Sequence, residues 1–250
     1  RCRDCGAGIS WRYPAVEWAV GLWFIRPSYM VWVALFPDIN HDIVASFQYS
    51  GPIILAAVSI GILGFLLIGL MVMDWQTQRL PDAFTLTGIG VGFVLVCVRA
   101  AFLAPGEGDI VPSVEHQLRM SSPGSSTAHG NVLLTGTEAM VLGRVAAIVG
   151  AALILLLVRW GYKALRKRDG MGMGDVKLLA MIAAFLGFGE ALLALFVGVV
   201  AASVYGIGLM ARGRAGAESR LPLGSFIAAG GLIAAVFGGR IVEWYAGLLP

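Results

Sequence analysis

The sequence predicts an all-α polytopic membrane protein with about seven transmembrane helices and a short cytoplasmic N-terminal segment. Hydrophobic residues make up 58% of the 250 residues and charged residues only 13%, whereas about a quarter of the residues in a typical soluble domain are charged. The mean hydropathy of the chain is +0.82. Backbone groups in hydrocarbon must pair with each other, so apolar runs of about 20 residues are expected to be spanning helices.

Seven apolar segments account for the predicted spans. They cover residues 15–36, 52–73, 83–104, 139–160, 176–187, 191–211 and 223–239. The fifth segment is the shortest of them. Arg26 and Pro27 fall near the middle of the first segment. They predict either a break in that helix or an arginine that faces the bundle interior and pairs with a carboxylate such as Glu17.

The connections between the spans alternate in charge. Cytoplasmic loops of membrane proteins collect lysine and arginine, and here every second connection is basic. The basic residues of these connections are Arg1, Arg3, Arg12, Arg79, Lys163, Arg166, Lys167, Arg168, Arg212, Arg214 and Arg220. The turns after residue 73 and before residue 176 are therefore predicted to share the cytoplasmic face, and the polar segment 105–136 is predicted to be an extracytoplasmic loop.

The predicted organisation is one membrane domain preceded by a short cytoplasmic segment. Residues 1–14 form that segment, which contains Cys2 and Cys5, and residues 15–250 form the transmembrane domain. The net charge of +3 follows from the orientation of the loops, so a nucleic acid partner is not expected. The expected surroundings are the lipid bilayer.

Asp74 and Asp175 are the candidate catalytic residues, because each lies where an apolar segment meets a polar turn on the same predicted face. Partial burial and a neighbouring carboxylate both favour a shared proton. The ionised member of such a pair can activate a water, while the protonated member donates to a peptide carbonyl oxygen. The pair therefore predicts an intramembrane aspartic protease. The alternative for each aspartate is a purely structural role at a helix end.

Glycines alternate directly before the second aspartate, at Gly170, Gly172 and Gly174. Glycine allows a close approach of the backbone and a positive φ. We therefore expect Gly172 and Gly174 to support the site by leaving room for an extended substrate beside Asp175.

Two charged residues lie close to the aspartates in sequence, and each has more than one possible role. Lys177 follows Asp175 by two residues and either brings a cation to the same pocket or anchors in the lipid headgroups. Asp82 follows Leu80 and Pro81, and capping of the third helix is the favoured role for its carboxylate. Both residues are predicted to support the candidate site.

Five motifs in this order resemble those of the type IV prepilin peptidases, a family of intramembrane Gly-x-Gly-Asp aspartic proteases. Together they extend over most of the chain. The motifs are Cys2-x-x-Cys5, Arg12-Tyr13-Pro14, Asp74 with Leu80-Pro81-Asp82, Gly172-Met173-Gly174-Asp175 and Leu221-Pro222-Leu223-Gly224-Ser225-Phe226.

The resemblance implies a multi-pass protein of the bacterial inner membrane with its active site facing the cytoplasm. Such enzymes cleave the leader peptide from type IV prepilins and type II secretion pseudopilins, and the two catalytic aspartates of the family fall on Asp74 and Asp175. Proteolysis by this pair needs no cofactor. Many members also methylate the new N-terminus with S-adenosylmethionine, through a cytoplasmic domain that contains two Cys-x-x-Cys pairs.

This chain departs from the family pattern at two places. It contains one Cys-x-x-Cys pair, so Cys2 and Cys5 supply half of a four-thiolate zinc site. Zinc is therefore an expectation that depends on further ligands, and S-adenosylmethionine is expected only if the methyltransferase activity is retained. Leu223 and Ser225 stand where the family usually shows Phe and Pro.

Two other functions compete with leader cleavage. One is a broader Gly-x-Gly-Asp protease that cuts within the spans of its substrates, although the Leu80-Pro81-Asp82 turn after Asp74 favours cleavage at the membrane boundary. The other is a transporter or assembly scaffold whose acidic residues carry protons or hold a partner. The clustering of the aspartates on one face argues against that function.

Overall fold

The structure, a computed structural model, describes residues 10–36, 43–78, 80–103, 137–167, 172–213 and 222–247. Within these ranges the regular structure is helical. The helices are α1 (Arg12–Leu35), α2 (Ile43–Thr77), α3 (Asp82–Leu103), α4 (Thr137–Arg166), α5 (Met173–Leu186), α6 (Phe188–Ala211) and α7 (Leu223–Ala246). The predicted all-α class is confirmed. Cys2, Cys5 and the predicted loop 105–136 lie outside the described residues.

Six of these seven helices are long and apolar enough to cross a membrane. The exception is α5, whose 14 residues extend about 21 Å at 1.5 Å per residue. A bilayer core is about 30 Å thick, so α5 is too short to cross it as a regular helix. The segment predicted at 176–187 is therefore a helix of nearly the predicted extent, but it is a buried helix of the bundle rather than a spanning helix.

Helix α5 forms the centre of the packing, with contacts to α2, α3, α4, α6 and α7. Four of its large side chains, Leu178, Leu179, Met181 and Ile182, are fully buried. A helix that is apolar all round is suited to such a position. Its neighbours approach closely through glycines, among them Gly88 of α3, where an added Cβ would overlap Met181. The position of Asp175 is thus set by the central helix of the fold.

The end of α5 opposite Asp175 is held by a charged side chain from α4. The backbone N–H of Gly187, which has a φ of 116°, donates to the carbonyl of Ala183 at 3.0 Å. The Arg144 guanidinium donates to the same carbonyl at 3.3 Å. A Cβ at Gly187 would lie 3.2 Å from both Arg144 and Glu190, so the two charged groups face each other there. These contacts give α5 a fixed end inside the bundle.

Helix α1 continues without interruption through Arg26 and Pro27. The predicted break is therefore wrong. Arg26 donates to the carbonyls of Ala235 and Val236 in α7, at 3.2 and 3.1 Å. Its partners in the described structure are thus main-chain oxygens of a neighbouring helix rather than the carboxylate that the interior alternative predicted.

One indole and one glycine make a close contact between α1 and α2. The Trp23 Nε1–H donates to the carbonyl of Ile60 at 2.9 Å. The ring lies directly over Gly64, where an added Cβ would overlap it. Glycine at position 64 therefore lets the two helices approach.

The C-terminal end of α2 and the N-terminal ends of α5 and α7 meet at one end of the bundle. Ser225 of α7 contacts Asp74 of α2, and Asp74 and Asp175 of α5 both lie within 3.0 Å of the position a Cβ would take on Gly224. The prediction that the two aspartate turns share one face is therefore confirmed.

Replacing Gly64 by alanine is expected to lower the free energy of unfolding by about 1–3 kcal/mol, because the added methyl group would displace the Trp23 ring. Gly69→Ala is the matched control on the same helix, since nothing lies within 4 Å of its added atom. Thermal unfolding of both variants in one detergent measures the difference. Equal melting temperatures would contradict this packing of α1 on α2.

Candidate active site

Asp74 lies in the last turn of α2 and is 5% exposed. Its Oδ2 atom accepts a hydrogen bond from the backbone N–H of Ser225 at 2.6 Å and another from the Ser225 hydroxyl at 2.9 Å. The helix ends just beyond Asp74, where Gln78 takes a φ of 51° and its N–H donates to the Asp74 carbonyl. The carboxyl group is thus buried at a helix end and held by α7.

Asp175 lies in the first turn of α5 and is 8% exposed. The N-cap residue of this helix is Gly172, so Asp175 is the third helical residue. Its carboxylate accepts the backbone N–H of Gly172. A side chain at this position often bonds back to the N-cap residue, and the positive end of the helix dipole favours an acidic group there. Local helix geometry therefore aims this carboxyl at the end of the bundle.

Gly224 lies beside both carboxyl groups. A Cβ at this residue would lie 3.0 Å from Oδ2 of Asp74 and 3.0 Å from Oδ1 of Asp175, so the two oxygens are at most about 6 Å apart. One water that hydrogen-bonds both carboxyls fits a separation of this size. The structure therefore brings the two predicted catalytic residues together.

The pKa of Asp175 is raised to about 6, chiefly because its carboxyl group is buried and also because Asp74 is close, while the Gly172 N–H acts in the opposite direction. Asp175 belongs to α5 and is outside the six helices long enough to span a membrane. A carboxyl with such a pKa exchanges its proton near neutral pH. This property suits a pair that shares one proton.

Gly174 supports the site through a close contact. A Cβ at this residue would lie 2.9 Å from Cβ of Leu80, and Leu80 in turn reaches within 3.0 Å of the Cβ position at Gly224. Leu80 therefore forms an apolar wall between the two helix ends. The expected positive φ is wrong for Gly172, which has a φ of −72°, and Gly174 is helical. Space for a neighbouring side chain, rather than backbone freedom, explains the glycine at position 174.

Lys177 and Asp82 form an ion pair at 2.6 Å. The pair joins the fifth residue of α5 to the first residue of α3. Lys177 therefore directs its charge to Asp82 instead of the carboxyl pair. The expected capping role of Asp82 is not observed, because this residue begins α3 and the Pro81 carbonyl accepts the N–H groups of Phe84 and Thr85.

An aromatic cluster packs beside the carboxyl pair. Trp75, which follows Asp74, lies 5.7 Å from the Tyr205 ring and 6.2 Å from the Phe226 ring. Tyr205 and Phe226 are 5.5 Å apart. These rings join α2, α6 and α7 at the level of the site, so they help to fix the N-terminus of α7 against Asp74.

Two residues of the site were not predicted from the sequence. Gly224 and Ser225 belong to the motif before the last span, which by itself predicts no role for either residue. Their position in a polar turn on the same predicted face as Asp74 was the available signal. No group of three or more His, Cys, Asp or Glu residues suited to a metal ion occurs in the described ranges.

Comparison with known proteins supports the class that the fold and the site define, a helical membrane protein with a buried pair of carboxyl groups. The model of the type IV leader peptidase family matches residues 127–207, a range that includes Asp175. No solved structure matches the chain significantly.

Three curated relatives share the name prepilin leader peptidase/N-methyltransferase. The protein from Burkholderia pseudomallei (strain 1026b) is 29% identical over 238 residues, which are 95% of this chain and 59% of the relative. The protein from Aeromonas salmonicida (strain A449) is 28% identical over 98% of this chain and 65% of its own length. For Stutzerimonas stutzeri the identity is 26%, with 98% and 65% covered.

These similarities confirm the resemblance to the type IV prepilin peptidases that the motifs indicated. The chain spans about three-fifths of the length of the relatives it matches.

Asp175→Asn is expected to stabilise the protein at pH 7 by on the order of 1–3 kcal/mol and so to raise its melting temperature. The pKa of Asp175 is raised from 3.8 to about 6 in the folded protein. Protonated Asp175 therefore stabilises the folded state fully below pH 3.8, and this contribution is lost as the pH rises to about 6. The advantage of the neutral amide should therefore be small at pH 4 and grow towards pH 7.

Thermal unfolding at several pH values measures this effect. Glu17→Gln on α1 is the control, because Glu17 is an exposed carboxyl. If the Asp175→Asn variant had the melting temperature of the wild type at every pH, burial of the Asp175 charge would have no cost, and the prediction would be wrong.

Proposed function

We propose that this chain is an intramembrane aspartic endopeptidase that removes the leader peptide from type IV prepilins and type II secretion pseudopilins. The observation that carries the proposal is the approach of Asp74 and Asp175 to within about 6 Å at one end of the bundle. The names of the similar proteins support the substrate class.

The chemistry follows from a carboxyl pair that shares one proton. The ionised carboxylate takes a proton from a water held between the two groups, and the water oxygen bonds to the carbonyl carbon of the scissile peptide. The protonated carboxyl donates to the carbonyl oxygen. Collapse of the tetrahedral intermediate breaks the C–N bond, and a proton passes to the leaving amine. The near-neutral pKa of Asp175 suits this exchange.

The site is suited to cleavage at a membrane boundary. Asp74 lies in the last turn of α2, and Asp175 lies in the first turn of α5. A substrate helix beside the bundle would present the end of its apolar segment, rather than its middle, at this level. This placement favours leader cleavage over a protease that cuts within spans, and the gathering of both carboxyls at one end disfavours a transporter.

The cytoplasmic face of the bacterial inner membrane is the proposed location of the site. Basic residues lie at helix ends on the side of the carboxyl pair, including Arg12, Lys163, Lys167 and Arg212. Such residues are retained on the cytoplasmic side. A basic leader that emerges there would reach the site directly.

N-methylation is a separate proposal, based on the second activity in the names of the relatives. It would use S-adenosylmethionine, and Cys2 and Cys5 would contribute to a zinc site. Transfer of a labelled methyl group from S-adenosylmethionine to a processed pilin tests it. Proteolysis in the proposed mechanism requires no cofactor.

Asp74→Asn and Asp175→Asn are each expected to reduce cleavage of a synthetic prepilin at least about 1,000-fold, because an amide can neither accept the proton of the water nor transfer a proton as an acid. Purified protein in liposomes and mass spectrometry of the products measure both the rate and the cut site. Glu17→Gln should cleave normally. Full activity of either Asn variant would contradict the dyad, and a cut inside the apolar segment would favour the broader protease.

Gly224→Ala is expected to abolish cleavage while the protein still folds, because the added methyl group would lie 3.0 Å from an oxygen of each carboxyl and occupy the place of the water. Gly239→Ala is the matched control on α7, since nothing lies within 4 Å of its added atom. The same cleavage assay with thermal unfolding separates inactivation from misfolding. Normal cleavage by the Gly224→Ala variant would contradict a water site between the carboxyls.

A further inference from the structure

We propose that Ser225 is a positioning residue that keeps Asp74 ionised, so that Asp74 is the base of the pair and Asp175 is the acid. This inference rests on the proposed peptidase function. It assigns a role to a residue at which this chain departs from the usual pattern of the family it resembles.

Ser225 directs two donors at the same oxygen. Its N–H and its hydroxyl lie 2.6 and 2.9 Å from Oδ2 of Asp74. Ser225 is 3% exposed and Asp74 5%, so water competes little for these bonds. Hydrogen bonds donated to a carboxylate favour its ionised form.

The backbone of α7 strengthens this effect. Ser225 is the third residue of α7, and the first N–H groups of a helix have no partner within the helix. Asp74 accepts one of these from a different helix, at the positive end of the α7 dipole. A neutral carboxyl would interact less favourably with this N–H group and with the positive end of the dipole.

The hydrogen bonds at Oδ2 of Asp74 fit an ionised carboxylate. The hydroxyl of Ser225 has one proton and two acceptors within reach, Oδ2 of Asp74 and the carbonyl of Met71 at 3.0 Å. If Asp74 is ionised, its oxygen accepts both donors of Ser225. If Asp74 were protonated on this oxygen, it would donate to the Ser225 hydroxyl, whose proton would then turn to Met71, whereas a proton on Oδ1 would leave both Ser225 bonds in place. The short N–H bond is typical of a charged acceptor and favours the first assignment.

In the part of the chain that the structure describes, Asp175 has weaker support for a charge. The Gly172 N–H is the backbone donor that opposes the rise of its pKa, and burial and Asp74 dominate. Lys177 on the same helix is paired with Asp82 of α3. The difference in donors thus leaves the shared proton on Asp175.

The remaining described neighbours of Asp74 do not reverse this preference. The residues that approach its carboxyl from α7, Gly224 and Ser225, carry no charge. Arg12 and Glu17 of α1 are exposed, and Tyr205 of α6 faces Trp75. The ionisable group of α5 beside Asp74 is Asp175, and the proximity of the two carboxyls favours a single negative charge on the pair.

Proline at position 225, the residue usual in the family, would supply neither donor. A proline is tolerated in the first turn of a helix, where its missing N–H has no helical partner. Three substitutions therefore separate the contributions. Ser225→Thr keeps both donors, Ser225→Ala keeps the N–H, and Ser225→Pro removes both.

The first test is the pH dependence of kcat/KM for prepilin cleavage. The acidic limb, where the base is lost by protonation, should move up by about 1 pH unit in Ser225→Ala and further in Ser225→Pro. Ser225→Thr should restore the wild-type profile. Ser203→Ala is the matched control, because the Ser203 hydroxyl donates within α6 to Val199. A shift of the basic limb instead, or no shift, would overturn the proposal.

A second test does not depend on activity. In the Asp175→Asn variant, infrared titration follows the protonated carboxyl band that disappears in the Asp74→Asn/Asp175→Asn variant, so the band belongs to Asp74. Adding Ser225→Ala should move its midpoint to higher pH by about 1 unit. An unchanged midpoint would refute the role of Ser225. If the wild type cleaves no prepilin, the proposed function fails while this measurement still decides the inference.

Discussion

The burial of two carboxyl groups side by side is the constraint on which the rest of this structure depends. Like charges this close, in a site largely shielded from water, are unfavourable unless the groups share a proton or find donors. The bundle meets this requirement with the N-terminus of α7, where Ser225 donates twice to Asp74. Gly224 leaves the space that lies within 3.0 Å of both carboxyls. The helix ends are therefore arranged around the pair.

The short central helix is the second consequence of this arrangement. At the C-terminal end of α5, Arg144 of α4 donates to the carbonyl of Ala183. At its other end the backbone of Gly172 and the space at Gly174 let Asp175 and Leu80 approach. A buried helix held at both ends gives a rigid support for a reactive side chain. The proposed enzyme would thus hold its acid more firmly than a surface loop could.

The site retains an unfavourable feature that the packing could have removed. A neutral polar side chain at position 175 would avoid both the burial of charge and the repulsion from Asp74, which together raise the pKa of Asp175 to about 6. Perturbed carboxyls of this kind occur at functional sites, and also in structural ion-pair networks. Here the partner is a second carboxyl rather than a cation, because Lys177 is paired with Asp82. This combination favours acid and base chemistry over a structural role.

The sequence by itself determined the helical membrane class, the order of the seven helices in the described residues, and the common face of Asp74 and Asp175, since composition and loop charge depend on the medium rather than on packing. The tertiary structure decided the burial of α5 inside the bundle, the continuity of α1 through Pro27 and the pairing of Lys177 with Asp82. It also decided the placement of Gly224 and Ser225. Each of these depends on which helices are neighbours, and hydrophobic periodicity does not encode that, because a helix that faces lipid and a helix that faces protein are both apolar.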